Sequence, residues 1–144
     1  MADIFYLTHV RFEKGALNGI EDDLEDLSIH RPLIVTDQGV KKAGLVDKLR
    51  SAMGKSGTSS DTIFEDCPSN PTEEAVQAAL KFYRERDCDG IVALGGGSPI
   101  DLAKGVALLA SHEEPLEQYA AIRGGIGRIT SKVAPVVAVP TTAG

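Results

Sequence analysis

Apolar residues recur along the chain with two different periods. Four short runs of aliphatic and β-branched residues are typical of strands: 33–36, 62–64, 91–94 and 136–139. The run at 33–36 suits a strand that is buried on both faces, and the run at 91–94 suits a central strand. Between these runs, apolar residues recur at helical spacing, with charged residues on the remaining faces. The alternation of strand and helix predicts an α/β fold, a Rossmann-like parallel sheet with helices on both faces.

Several element ends can also be recognised. The first predicted helix spans 17–27, and a short edge strand or hairpin is expected before it, over 4–7 and 10–12. A second helix is predicted over 45–52, because its apolar residues share one side and Gly54 follows it as a suitable C-terminal glycine. A third helix should begin after Thr72, since threonine is a preferred N-cap residue and two glutamates follow it.

Composition limits the class of protein. The chain has 144 residues, 42% of them hydrophobic and 25% charged, which indicates one soluble globular domain over 1–144. The net charge of −6, without any basic stripe, argues against nucleic acid as a partner. No apolar run approaches the ~20 residues that span a bilayer, so we expect no membrane contact and a cytoplasmic protein. Cys67 and Cys88 lie far apart and are interpreted as buried thiols.

The segment after the strand at 91–94 is the most informative part of the chain. Gly95, Gly96 and Gly97 join this strand to a predicted helix without any side chain that would obstruct a ligand. Ser98 is expected at the N-cap and Asp101 three residues later, which is the spacing of a capping box. Free backbone N–H groups at the start of a helix attract anions, so this segment predicts a seat for a pyrophosphate.

A purely structural interpretation of this segment also exists. The glycines could serve only close packing of strand and helix, and Ser98 and Asp101 could serve only as caps. The strict G-x-G-x-x-G fingerprint is absent, because Ile100 stands where its third glycine would fall. The residues alone therefore indicate a nucleotide or phosphate site and nothing narrower.

Polar residues follow two further predicted strands. Asp37 comes after the strand at 33–36, and Thr141 and Thr142 come after the last one. Because ligands bind at the carboxyl ends of parallel strands, these residues should converge on the glycine segment. Asp37 could accept hydrogen bonds from a ribose diol and repel a 2′-phosphate, which favours NAD over NADP. Its alternative role is to form a turn, and the threonines could simply end a strand.

The three histidines do not form a metal site in the sequence. His9, His30 and His112 lack the i, i+3 or i+4 spacing of paired ligands and are interpreted as surface or capping residues. We therefore predict no metal ligand within these 144 residues.

Two segments together carry a family resemblance. GGGSPIDLAK at 95–104 and PTTAG at 140–144 resemble the iron-containing (group III) alcohol dehydrogenases, and Asn70-Pro71-Thr72 and Thr36-Asp37 fall where that family has matching motifs. In the related glycerol dehydrogenases and dehydroquinate synthases, different residues follow the glycines. Ser98-Pro99 therefore favours the alcohol dehydrogenases.

The resemblance implies a dehydroquinate-synthase-like N-terminal domain that binds NAD(P). In such a domain Gly96, Gly97 and Ser98 would hold the pyrophosphate and Asp37 would meet the adenosine ribose. The other residues implied to line the cofactor are Asn70, Thr141 and Thr142. The resemblance also implies a helical C-terminal domain, in which one Asp and three His would bind Fe²⁺ or Zn²⁺. This chain is expected to lack that domain and to be truncated near the C-terminal edge of its own domain. No catalytic residue is therefore expected within it.

The implied activity is hydride transfer between NAD(H) and an alcohol, aldehyde or ketone, with the metal as Lewis acid. The chain alone is expected to be inactive, and the family makes a homodimer plausible. Two alternatives remain open at this point: a non-catalytic nucleotide-binding or assembly module, and an enzyme of the glycerol dehydrogenase or dehydroquinate synthase type. The sequence does not name the alcohol.

Overall fold

The computed structural model describes residues 8–57, 60–112, 116–120 and 124–142. Within this part, parallel strands form one sheet of order β2-β1-β3-β4. The strands are β1 Pro32–Val35, β2 Ile63–Phe64, β3 Gly90–Gly95 and β4 Val136–Pro140. The helices are α1 Ile20–Asp26, α2 Gln38–Lys42, α3 Leu45–Ala52, α4 Glu73–Glu85 and α5 Gly97–Leu109. Single 3₁₀ turns lie at Ala16–Gly19, Gly54–Gly57, Leu116–Tyr119 and Gly125–Arg128.

The two inner strands are buried on both faces. Leu33 and Val35 of β1 belong to the hydrophobic cluster that includes α4 and α5, whereas Ile34 belongs to the cluster that includes α1 and α3. Strand β3 is buried along its whole length and alternates in the same way. This two-sided burial explains why both strands are continuous apolar runs, and it confirms the predicted α/β fold with helices on both faces.

The strand expected over 10–12 does not form. Val10 is 62% exposed and Phe12 is 97% exposed, and neither pairs with a described strand. The guanidinium of Arg11 instead lies 2.8 Å from the carboxylate of Asp23 on α1. An apolar alternation forms a strand only where it pairs with a neighbouring strand, and 10–12 pairs with none of the described strands. The other half of this prediction, 4–7, lies outside the described residues.

One predicted helix and one predicted turn differ from the structure. The helix expected over 17–27 is α-helical only from Ile20 to Asp26, and Leu27 lies at its end, 44% exposed. The segment after β1, expected to be a turn, forms the short helix α2. The ends of two other helices match the sequence: Gly54 follows α3 with φ +60°, and the Thr72 hydroxyl accepts a hydrogen bond from Ala75 N at 3.2 Å.

Candidate functional site

The sheet brings three strand ends to one edge. Val35 of β1 pairs in register with Ala93 of β3, and Gly95 of β3 pairs with Pro140 of β4. The segments that follow the three strands therefore begin side by side, as in open α/β sheets that bind ligands at this edge. Thr141 N donates to Gly95 O at 2.9 Å, so the chain after β4 is attached directly to the glycine segment.

The first glycine of this segment is required by the fold itself. Gly95 has φ +146°, a conformation that L side chains rarely adopt. A Cβ at this position would lie 2.7 Å from Cγ of Pro99. The structural interpretation of the glycines is therefore correct for Gly95, which allows β3 to turn tightly into α5.

The next two glycines have no such requirement. A Cβ on Gly97 would meet no atom within 4 Å, and a Cβ on Gly96 would be in ordinary contact with the Thr142 side chain at 3.5 Å. Neither residue has a positive φ. Gly97 thus leaves open space at the start of α5, where the first N–H groups of a helix have no partner within the helix. Open space beside such N–H groups is where an anion binds.

The expected capping box at the start of α5 is wrong. The N-cap is Gly96 in an extended conformation, without a side-chain cap, and the helix begins at Gly97. Ser98 lies inside the first turn, and its hydroxyl donates to the carbonyl of Ser69 instead of accepting from the helix. Asp101 is exposed, with its carboxylate 3.7 Å from Nζ of Lys104. The capping pattern failed because Ser98 finds an acceptor in a loop that is distant in sequence.

A cavity of about 320 Å³ opens in front of the glycine segment. One side is the start of α5, and the other is the loop that follows β2, with Asp37 at the end of β1 between them. The lining residues are Asp37, Cys67, Pro68, Ser69, Gly96, Gly97, Ser98 and Pro99.

The other predicted residues lie around this cavity without lining it. Asn70 is exposed and follows the lining residue Ser69. Thr141 and Thr142 are exposed beside the glycines. Gly95 is buried beneath the segment. A ligand larger than the cavity would extend over these neighbours.

Asp37 has a structural role, and it is a helix cap where the sequence suggested a turn. Its Oδ1 accepts a hydrogen bond from Val40 N at 2.9 Å, which makes it the N-cap of α2. This arrangement replaces the predicted simple turn. The half-buried carboxylate still lies at the cavity, so a ligand there meets a negative charge at the end of β1.

Cys67 is a cavity residue that sequence reasoning missed. Its side chain is 8% exposed, and burial, assisted by the nearby charge of Asp37, raises the pKa of the thiol to about 11. The thiol therefore remains protonated at neutral pH and is a poor nucleophile. The available signal was position: the residues after β2 begin at the same sheet edge as the glycines.

The histidines are not arranged as metal ligands. His112 joins α5 to a later loop, since Leu108 O lies 3.0 Å from its Nδ1 and Thr130 N donates to its Nε2 at 2.9 Å. In the described ranges, no three His, Cys, Asp or Glu side chains are grouped as a metal ion would need. The described helices also include none that is long and apolar enough to cross a membrane.

Comparisons with known proteins agree with one another. Residues 8–144 match the family model of the iron-containing alcohol dehydrogenases. The chain is 51% identical to a 4-hydroxybutyrate dehydrogenase of Cupriavidus necator over 100% of its own length and 37% of the relative's. It is 38% identical to a 1,3-propanediol dehydrogenase of Klebsiella pneumoniae over 92% of the chain and 34% of that protein.

Crystal structures of related enzymes share the fold. The structure of a 1,3-propanediol oxidoreductase superposes with a TM-score of 0.77 at 37% identity, covering 90% of this chain and 32% of that one. A sulfoacetaldehyde reductase from Bifidobacterium kashiwanohense in complex with NAD⁺ gives a TM-score of 0.82 at 31% identity, over 100% and 37%. The chain spans 34–37% of the length of the two curated relatives, the 4-hydroxybutyrate dehydrogenase and the 1,3-propanediol dehydrogenase. By sequence and by fold, it belongs to the family of iron-containing alcohol dehydrogenases.

Proposed function

We propose that this chain is the NAD-binding part of a dehydrogenase that interconverts an alcohol with an aldehyde or ketone. The observation that carries the proposal is the open glycine turn at the start of α5. A Cβ on Gly97 would meet nothing within 4 Å, and the space in front of it is the cavity bounded by Asp37 and the loop after β2. Such a space beside helix N–H groups fits a pyrophosphate.

Within this proposal, each part of the site has a separate task. The first-turn N–H groups of Gly97 and Ser98 would bind the pyrophosphate, assisted by the dipole of the 13-residue helix α5. Asp37 would accept hydrogen bonds from the adenosine ribose. Asn70, Thr141 and Thr142 would line the rest of the nucleotide from the edge of the cavity. When bound, the nicotinamide would supply the hydride acceptor or donor.

NAD is favoured over NADP because of the charge at the end of β1. A 2′-phosphate near Asp37 would meet a carboxylate that is already committed to capping α2 and cannot move away without losing that bond. Two unit charges 4 Å apart interact by about 4 kcal/mol at an effective dielectric of ~20. Partial exposure reduces this value, so we expect discrimination of roughly ten-fold or more.

Calorimetric titration with NAD⁺ and NADP⁺ tests the proposal. NAD⁺ should bind more tightly than NADP⁺, and Asp37→Asn should reduce the difference because asparagine keeps an oxygen for the cap but loses the charge. If neither nucleotide binds to the protein, the proposal is wrong. If both bind but Asp37→Asn leaves their ratio unchanged, Asp37 is not the selector.

The rest of the activity is proposed from the relatives. The family name implies iron, for which we propose Fe²⁺, with Zn²⁺ as the alternative metal. The described residues include no group of three His, Cys, Asp or Glu side chains that could hold a metal ion, so the ligands would come from other parts of the protein. The relative with 51% identity is named a 4-hydroxybutyrate dehydrogenase, which makes short hydroxy acids the first alcohols to assay. A cytoplasmic homodimer belongs to the same proposal, and the oligomeric state can be measured by light scattering.

A further inference from the structure

Ser98 makes a contact across the cavity that has no role in the proposed nucleotide chemistry. Its hydroxyl donates to the backbone carbonyl of Ser69, which is 29 residues away in the sequence. The bond joins the first turn of α5 to the loop after β2, and both segments line the cavity. Ser69 is itself exposed and lies at the cavity rim.

We propose that Ser98 is a positioning residue, whose hydroxyl holds the loop at 67–69 against α5 and so sets the width of the cavity. The proposal rests on the proposed function only in taking a nucleotide as the ligand of this cavity. The contact itself requires no ligand.

The single hydrogen-bond donor of the Ser98 hydroxyl supports this positioning role. Serine has one O–H donor, and its oxygen otherwise only accepts hydrogen bonds. With the proton given to Ser69 O, the side chain has no donor left for a phosphate oxygen. A phosphate at this turn would then be bound by the backbone N–H groups of Gly97 and Ser98, which lie in the first turn of α5. The side chain therefore contributes by shaping the site.

Cys67 provides a natural reporter for this contact. Cys67 is only 8% exposed at the base of the same loop, so opening of the loop should uncover its thiol. Cys67 and Cys88 belong to the same core cluster, but Cys88, 9% exposed after the end of α4, does not line the cavity, so its labelling rate is the reference for opening of the domain as a whole. Both thiols are free, which allows the two rates to be compared in one sample.

The test is maleimide labelling of the protein without ligand, followed residue by residue with mass spectrometry. Ser98→Ala should raise the labelling rate of Cys67 roughly five-fold relative to Cys88, the factor that corresponds to losing a hydrogen bond of ~1 kcal/mol. Ser69→Ala is the matched control. It should leave the labelling rates of both thiols unchanged, because Ser98 donates to the backbone carbonyl of residue 69 and not to its side chain. Ser98→Thr keeps the hydroxyl and should restore slow labelling.

Two results would overturn the proposal. One is an unchanged Cys67 rate in Ser98→Ala, which would mean that the bond does not hold the loop. The other is a parallel rise at Cys67 and Cys88, which would mean that Ser98 stabilises the whole domain and not the cavity wall.

A second arm separates this proposal from the proposed function. NAD⁺ should protect Cys67 from maleimide in the unaltered protein, and Ser98→Ala should bind NAD⁺ more weakly, again roughly five-fold, with rescue by Ser98→Thr. A change in labelling without any protection by NAD⁺ would keep the positioning role and reject the nucleotide as ligand. Protection of Cys67 by NAD⁺, together with an unchanged Cys67 labelling rate in Ser98→Ala, would reject the positioning role and keep the nucleotide as the ligand.

Discussion

Alanine substitutions at Gly95 and Gly97 separate the two reasons for glycine in the turn between β3 and α5. At Gly97, the new methyl group meets no protein atom within 4 Å and extends into the cavity. At Gly95, it would approach Cγ of Pro99 to 2.7 Å in a backbone conformation with φ +146°. Gly97 is therefore predicted to leave room for the ligand, whereas Gly95 is predicted to be required for the backbone turn.

The expected magnitudes follow from these contacts. Gly97→Ala should leave the free energy of unfolding unchanged or raise it by about 0.5 kcal/mol, because alanine is a better helix residue than glycine. The same change should weaken NAD⁺ binding by about ten-fold or more, since the methyl group occupies space beside the helix N–H groups. Gly95→Ala should lower the free energy of unfolding by roughly 1–3 kcal/mol through backbone strain and overpacking.

Urea unfolding and calorimetric titration with NAD⁺ measure the two effects separately. Gly127→Ala is the matched control: an added Cβ there also meets nothing within 4 Å, its φ is not positive, and it lies outside the cavity. This variant should resemble the unaltered chain in both assays. If Gly97→Ala binds NAD⁺ as tightly as the unaltered chain, the cavity is not the pyrophosphate seat. If Gly95→Ala is fully stable, the steric explanation for that glycine is wrong.

Three further predictions concern stability. Thr36→Val removes the buried hydrogen bond from the Thr36 hydroxyl to Leu94 O, 2.8 Å long, and should cost about 1 kcal/mol in urea unfolding; an unchanged midpoint would show that the bond contributes nothing. Thr72→Ala should cost about 1 kcal/mol by loss of the α4 cap, whereas Thr72→Ser should cost much less. Burial raises the pKa of Cys67 and of Cys88 from the ordinary 9.0 to about 11, so the unfolded chain releases these protons first and the free energy of unfolding should fall as pH rises from 9 to 11. Replacing both thiols by alanine should make that decline shallower, and an equally steep decline would contradict this assignment.

The sequence by itself determined the main elements of this domain. The continuous apolar runs of β1 and β3 could be recognised because strands buried on both faces exclude polar residues. The stripe of Val76, Ala79, Leu80 and Tyr83 on α4 is buried as its helical spacing predicts. Glycines between a buried strand and a helix, together with the polar strand ends, indicated the edge of the sheet at which the structure has a cavity.

Only the tertiary structure decided what the individual site residues contact. Ser98 follows the local pattern of an N-cap, yet its hydroxyl bonds to Ser69, because a hydroxyl donates to whichever acceptor the folded chain brings near. Asp37 could be recognised as a strand-end carboxylate, but its capping of α2 depends on the turn that follows. Cys67 carries no local signal of a site, since it reaches the cavity only through the pairing of β2 with β1. Local patterns determine secondary structure, whereas contacts between segments distant in sequence depend on the packing of the whole sheet.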